Sequence, residues 1–281
     1  MSRSATRVLA LALLWPCPAG AIDLDPRDDS PTTINRNVTD PVSVTWSLKL
    51  KNTVTFLDRI GQSERAQYQL QFQPTLPVIL TPQWKLITRP QFTLLDDKPY
   101  AGSNGESLRT IGVGDTILDV VLSPMSEAWL LGLGPTFVFP TANLDETGQG
   151  KWQVGPGGVF GYKATRWLAG VIAQQWWSFA GASDRSDVSE LHLQYLASWF
   201  FDDGWSVGTS PTIKVNWKAS DGNQVTFPLG LSVSKVIKFG DVFPVKFEIQ
   251  GLYAPVRPDS YGEKFAVQIY VIPVVPSPQD R

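Results

Sequence analysis

The sequence predicts an all-β protein: a transmembrane, antiparallel, up-and-down β-barrel of about 12 strands. Three observations predict it. Long segments alternate polar and apolar residues, the connections between them alternate between long and short, and the tryptophans fall at two levels of the segments. Residues 66–73, AQYQLQFQ, show the first. Gln67, Gln69, Gln71 and Gln73 lie on one face of a strand, and Tyr68, Leu70 and Phe72 lie on the other.

Composition narrows the classes. Charged residues are 18% of 281, below the roughly 25% of a soluble domain. Trp 11, Phe 14 and Tyr 7 make the chain rich in aromatics. A mean hydropathy of −0.07 is far from that of a helical membrane protein. A formal charge of −2 gives no footprint for nucleic acid.

Residues 1–21 read as a secretory signal peptide. Arg3 and Arg7 begin it, Val8 to Trp15 form an apolar run too short to span a bilayer, and Ala19-Gly20-Ala21 supplies the cleavage site. Cleavage before Ile22 removes two of the 24 basic residues and no acid, leaving 22 against 26 and a formal charge of −4. The single cysteine, Cys17, leaves with the leader, so the mature chain has neither a disulfide nor a thiolate metal site. Trp15-Pro16 before Cys17 fits a lipoprotein signal badly. Residues 22–40, rich in Asp, Pro and Thr, read as a flexible periplasmic arm. The barrel is expected over 41–275 and a short tail over 276–281.

No run in the mature chain approaches 18 consecutive apolar residues. Val42, Val44, Trp46, Leu48 and Leu50 alternate instead with Ser43, Thr45, Ser47, Lys49 and Lys51. Further strands are expected near 64–79, 83–95, 112–122, 128–140, 152–164, 167–178, 187–201, 205–218, 224–238, 242–254 and 263–274. These exceed the five or six residues usual in soluble strands and meet the 9–11 needed by a tilted strand crossing a bilayer. LDDKPYAGSNGESLRTI, PTANLDETGQGK, FAGASDRSD, KASDGNQ and APVRPDSYG follow odd strands, whereas LTPQ, SPMSE, ATR, FDDG and FGD follow even ones. Long loops at one end and tight turns at the other are an outer-membrane pattern. Trp84, Trp129, Trp167 and Trp205 fall at the short-turn end, with Trp152, Trp177 and Trp217 at the loop end, so these seven are expected to form two aromatic girdles.

About eight strands already enclose as much space as side chains easily fill, so an apolar bore for about 12 is disfavoured. The inverted arrangement, lipid outside and water inside, leaves every backbone polar group paired.

The runs WKLITRPQF, GVGD, GLGPTFVFPTA, GKWQVGPGG, QQWWSFAG, TSPTIKVNW and TFPLGLSVSKVIKFG, in order across 40–275, resemble the outer-membrane transporters named for the MetA pathway of phenol degradation, some of which carry the label neuromedin U. The resemblance implies a Gram-negative outer-membrane barrel, inserted by the barrel assembly machinery into outer-membrane lipid, that passes small or aromatic solutes. Chains of this kind tend to finish near an aromatic residue, whereas this one runs through YVIPVVPSPQDR to Arg281.

The polar face of the dyad nominates the lumen: Lys49, Lys51, Gln69, Gln71, Lys85, Arg89, Gln91, Asp115, Asp119, Glu190, His192, Gln194, Lys214, Asn216, Lys246, Glu248 and Gln250. These charges either set a transverse field, as selective pores do, or pair across strands and fill the bore. Passive passage is the expected function, with no catalytic residue, no cofactor and no metal. A rim hydrolase needs a serine within reach of His192, the only histidine, and Ser198 lies about 20 Å along an extended strand. Asp115 and Asp119 are separated by about 13 Å, too far to share a proton. The glycines of GVGD and GLGP precede no helix pattern and form no phosphate loop. LDETGQGK lacks calcium-loop spacing and reads as a mobile extracellular loop. A closed structural or adhesive barrel is the remaining alternative.

Overall fold

The computed structural model describes residues 29–59, 65–102, 106–240 and 243–275. The leader, the first residues of the arm, the tip of the first hairpin and the tail expected at 276–281 lie outside these. The described chain runs α1 (Pro31–Thr39), β1 (Trp46–Arg59), β2 (Arg65–Thr81), β3 (Trp84–Ala101), β4 (Ser107–Gly112), β5 (Thr116–Pro124), β6 (Trp129–Phe139), β7 (Lys151–Lys163), β8 (Trp167–Gly181), β9 (Ser189–Phe200), β10 (Trp205–Thr209), β11 (Thr212–Asn216), β12 (Val225–Phe239), β13 (Phe243–Val256) and β14 (Ser260–Val275).

All pairings are antiparallel, and β14 returns to β1 from Trp46↔Val275 to Arg59↔Ser260, closing the sheet. Fourteen segments make twelve barrel strands. β4 and β5 pair with successive stretches of β3, and β10 and β11 both bridge β9 and β12. The first break falls at Val113–Asp115, the second at Ser210-Pro211, where a proline cannot donate to the ladder.

The inversion expected from the dyad is present. Leu133 and Leu231, 69% and 65% accessible, project outward together with Phe160, Phe179, Ile249 and Ile269. So many large apolar side chains on one exterior suit hydrocarbon rather than water. Phe72 stacks on Phe92 outside the wall, ring centroids 6.3 Å apart, while the glutamines of β2 point inward. Trp84, Trp129, Trp167 and Trp205 are the first residues of β3, β6, β8 and β10, at the short-turn end. Trp152, Trp177 and Trp217 stand exposed at the loop end.

Two features depart from the sequence expectation. The interior is not polar throughout: Val42, Ile87, Val121, Leu130, Val159, Leu168, Ile172, Leu196 and Phe200 form a buried apolar cluster on one side of the bore. Val42, read as part of the first strand's outer face, precedes β1 and packs into this cluster. In place of a wholly flexible arm, residues 31–39 form α1. Its start is locally encoded, with Pro31 in the first turn and the Ser30 hydroxyl accepting from the Thr33 amide at 3.3 Å.

Candidate functional site

The inward faces of the strands enclose a cavity of about 420 Å³. One wall is an amide ladder. Gln73 donates to Gln71 and to Gln91, both at 3.2 Å, Gln71 donates to Thr93 at 3.3 Å, and Gln67 donates to Asp96 at 2.7 Å. Of the lumen residues named from sequence, Lys49, Lys51, Gln69, Gln71, Arg89, Gln91, Asp119, His192, Gln194, Lys214, Lys246 and Glu248 line this cavity. Gln250 is buried behind it, its amide oxygen accepting from Ser210 at 3.2 Å.

Asp119, on β5, is the hub of the adjoining stretch of wall. Its Oδ1 accepts from Thr136 Oγ1 at 2.7 Å and Gln174 Nε2 at 2.6 Å, and its Oδ2 lies 3.6 Å from Arg89 Nη2. Arg89 and Asp119 are register partners on β3 and β5, so these charges pair locally. Thr136 also accepts from the indole of Trp176, which meets His192 edge-on at 4.8 Å between ring centroids. Trp176 is the inward member of the Trp176-Trp177 pair. His192 faces this indole and lies 4.0 Å from Glu190, and among the described residues no serine hydroxyl is hydrogen-bonded to it.

Asp119→Leu should destabilise the barrel by about 2–3 kcal/mol, less than the 3–5 of a dry buried pair because the lumen admits water. Asp119→Asn should lose less, since an amide oxygen still accepts from Thr136 and Gln174. Thermal unfolding followed by β-sheet circular dichroism in detergent measures both.

Four predicted lumen residues lie outside this cavity; Lys85, Glu190 and Asn216 keep the inward face of their strands toward the two ends of the barrel, and for Asp115 the reading is corrected. Lys85, 4% accessible, sits near the short-turn end among the charges of Asp40 and Lys163. Asp115 is not on a strand. In the break between β4 and β5 its carboxylate accepts from the amides of Ala142 at 3.1 Å and Gln149 at 2.7 Å. Glu190 and Asn216 lie at the loop end beside Asp184–Val188, where Gln149 donates to Glu190 at 2.9 Å. The LDETGQGK loop is therefore pinned rather than mobile: Asp115 holds one side, and Arg185 donates to the carbonyls of Asp145 and Gly148 at 2.8 and 2.5 Å. Among the described residues no cluster of three potential metal ligands occurs.

Sequence reasoning missed three parts of the site. Glu263 reaches Lys214 at 2.5 Å. Tyr270 lies in the cavity wall, its hydroxyl donating to Gln268 at 2.5 Å. The third is α1, which closes part of the short-turn end. The Asn35 side chain donates to the Gly204 carbonyl at 2.9 Å and contacts the hydroxyls of Ser206 and Ser234 at 3.3 and 3.2 Å. Lys246 donates to Thr39 at 2.7 Å, and Lys163 pairs with Asp40 at 2.5 Å. Asn37, Val38, Thr39 and Asp40 thereby form the floor of the cavity.

A closed antiparallel sheet, apolar outside and polar within, defines a transmembrane β-barrel. In fold the chain is similar to the COG4313 outer membrane channel from Pseudomonas putida F1, at 15% identity and a TM-score of 0.62, covering 90% of this chain and 100% of that one. It is also similar to the NanC porin, at 7% identity and a TM-score of 0.50, covering 82% and 99%. The fold is that of outer-membrane barrels. No protein-family profile and no curated protein sequence matches the chain.

Proposed function

We propose that the protein is an outer-membrane channel through which small solutes, aromatic compounds among them, pass passively along the barrel axis. In this reading the short turns and α1 face the periplasm. The observation that carries it is the polar-lined cavity inside a closed wall with an apolar exterior. The lining is amphiphilic: glutamines and threonines of β1 and β2 face a bore that also presents Ile172, Leu196, Leu252 and Ile272. Such a wall suits a solute with an apolar body and a polar group. The resemblance of the sequence to the transporters named for phenol degradation supports the aromatic class. Outer-membrane lipid and the barrel assembly machinery are the partners this reading requires.

Planar-bilayer recording of the refolded mature chain tests it. Discrete conductance steps are expected, with dose-dependent block by millimolar aromatic solutes and none by sugars of similar size. A protein that inserts, migrates as a folded barrel and conducts nothing overturns the proposal in favour of a closed structural or adhesive barrel.

A further inference from the structure

The charges around the cavity do not balance locally. Its wall presents four carboxylates: Asp40, Asp119, Glu248 and Glu263. Each already has a cation: Lys163 for Asp40, Arg89 for Asp119, Lys246 for Glu248 at 2.9 Å and Lys214 for Glu263. Lys49 and Lys51 remain, and among the described residues neither forms an ion pair. They are two apart on β1, so their side chains leave the same face about 7 Å apart. Both ammonium groups approach the ring of Tyr270, at 6.0 and 5.9 Å. The facing carboxylates are Glu248 and Glu263, held by Lys246 and Lys214 respectively.

A lysine pair enclosed by a polar wall lowers its electrostatic energy by taking up an anion. A carboxylate is the group whose two oxygens serve two ammonium donors at this spacing. Beside them the cavity offers the Tyr270 ring and the Ile272 side chain, an apolar surface for the body of the same molecule. We infer that Lys49 and Lys51 form a binding site in the lumen for the carboxylate of a small organic acid with an apolar, ring-sized body. The inference rests on the channel reading and specifies its substrate class.

Two measurements on the full mature chain in planar bilayers test it. In a potassium chloride gradient the wild-type reversal potential should show preference for chloride. Lys49→Gln/Lys51→Gln should reduce the anion-to-cation permeability ratio by roughly threefold or more. Lys49→Arg/Lys51→Arg should keep it, and Lys235→Gln, outside the wall against Trp205, should leave it unchanged. Benzoate should block the wild-type current, and the neutral isostere benzamide should block weakly. In the glutamine variant the half-blocking benzoate concentration should rise on the order of tenfold, the loss expected for one charge-assisted contact. Heat-modifiable migration on gels establishes that each variant folds. Equal block by benzoate and benzamide, or block unaltered in the glutamine variant, overturns the site while the channel stands. A folded wild-type barrel with no conductance overturns the channel reading itself and the site with it.

Discussion

Deleting residues 29–41 should raise single-channel conductance several-fold without preventing barrel formation. Residues Asn37–Asp40 form the floor of the cavity, so the segment occupies cross-section that ions would otherwise use. Its attachments are polar and replaceable by water. Asn35 gives up contacts to Gly204, Ser206 and Ser234, while the last two remain hydrogen-bonded to each other at 2.6 Å. Lys246 keeps Glu248 after losing Thr39, whereas Lys163 loses Asp40 and becomes an uncompensated cation at the short-turn end. The enlarged pore should therefore also favour anions more strongly. Val42 is retained because it belongs to the apolar cluster beneath the floor. Single-channel recording against the intact chain decides the matter, and an unchanged conductance would place the constriction elsewhere.

Gly134→Val should prevent closure of the barrel. A Cβ at Gly134 would lie 1.9 Å from the Val120 carbonyl oxygen and 3.2 Å from the Val121 Cα, both backbone atoms of β5. Backbone cannot rotate out of the way, so β5 and β6 would have to separate where they pinch together. The cost should meet or exceed the ~3 kcal/mol at the top of the usual overpacking range, and much of it should already appear with alanine. Gly251→Ala is the matched control, because a Cβ there meets nothing within 4 Å. The fraction of folded, heat-modifiable protein after refolding measures the difference. Equal yields for Gly134→Val and Gly251→Ala would show that the wall can yield at this point.

The barrel and most of its lumen were legible in the sequence, because one periodicity governs both. On an undisturbed strand each second residue faces the same side, so the glutamines of β2 and the lysines of β1 follow directly from their spacing. Where the period breaks, legibility ends. The register passes from Phe56↔Phe265 to Leu57↔Glu263, leaving Lys264 as an extra residue on β14. That bulge turns Glu263 inward to Lys214 and leaves Lys264 outside, 5.7 Å from the Phe265 ring centroid. On β3 the step from Leu70↔Leu95 to Gln71↔Thr93 brings Asp96 inward to Gln67. Asp115 was misplaced for a related reason: the break at Val113–Asp115 frees its carboxylate to bind loop amides.

The chain's own order of residues determined the class of fold, the greasy exterior and which face of most strands meets the bore, since these depend on local alternation and loop length. Its start signals for a helix, Ser30 and Pro31, were also present. Only the closed structure decided that this helix lies in the barrel mouth, that four carboxylates are neutralised and that two lysines are not. Those outcomes depend on contacts between residues more than a hundred positions apart, such as Lys163 with Asp40, and on single-residue bulges that no periodicity announces.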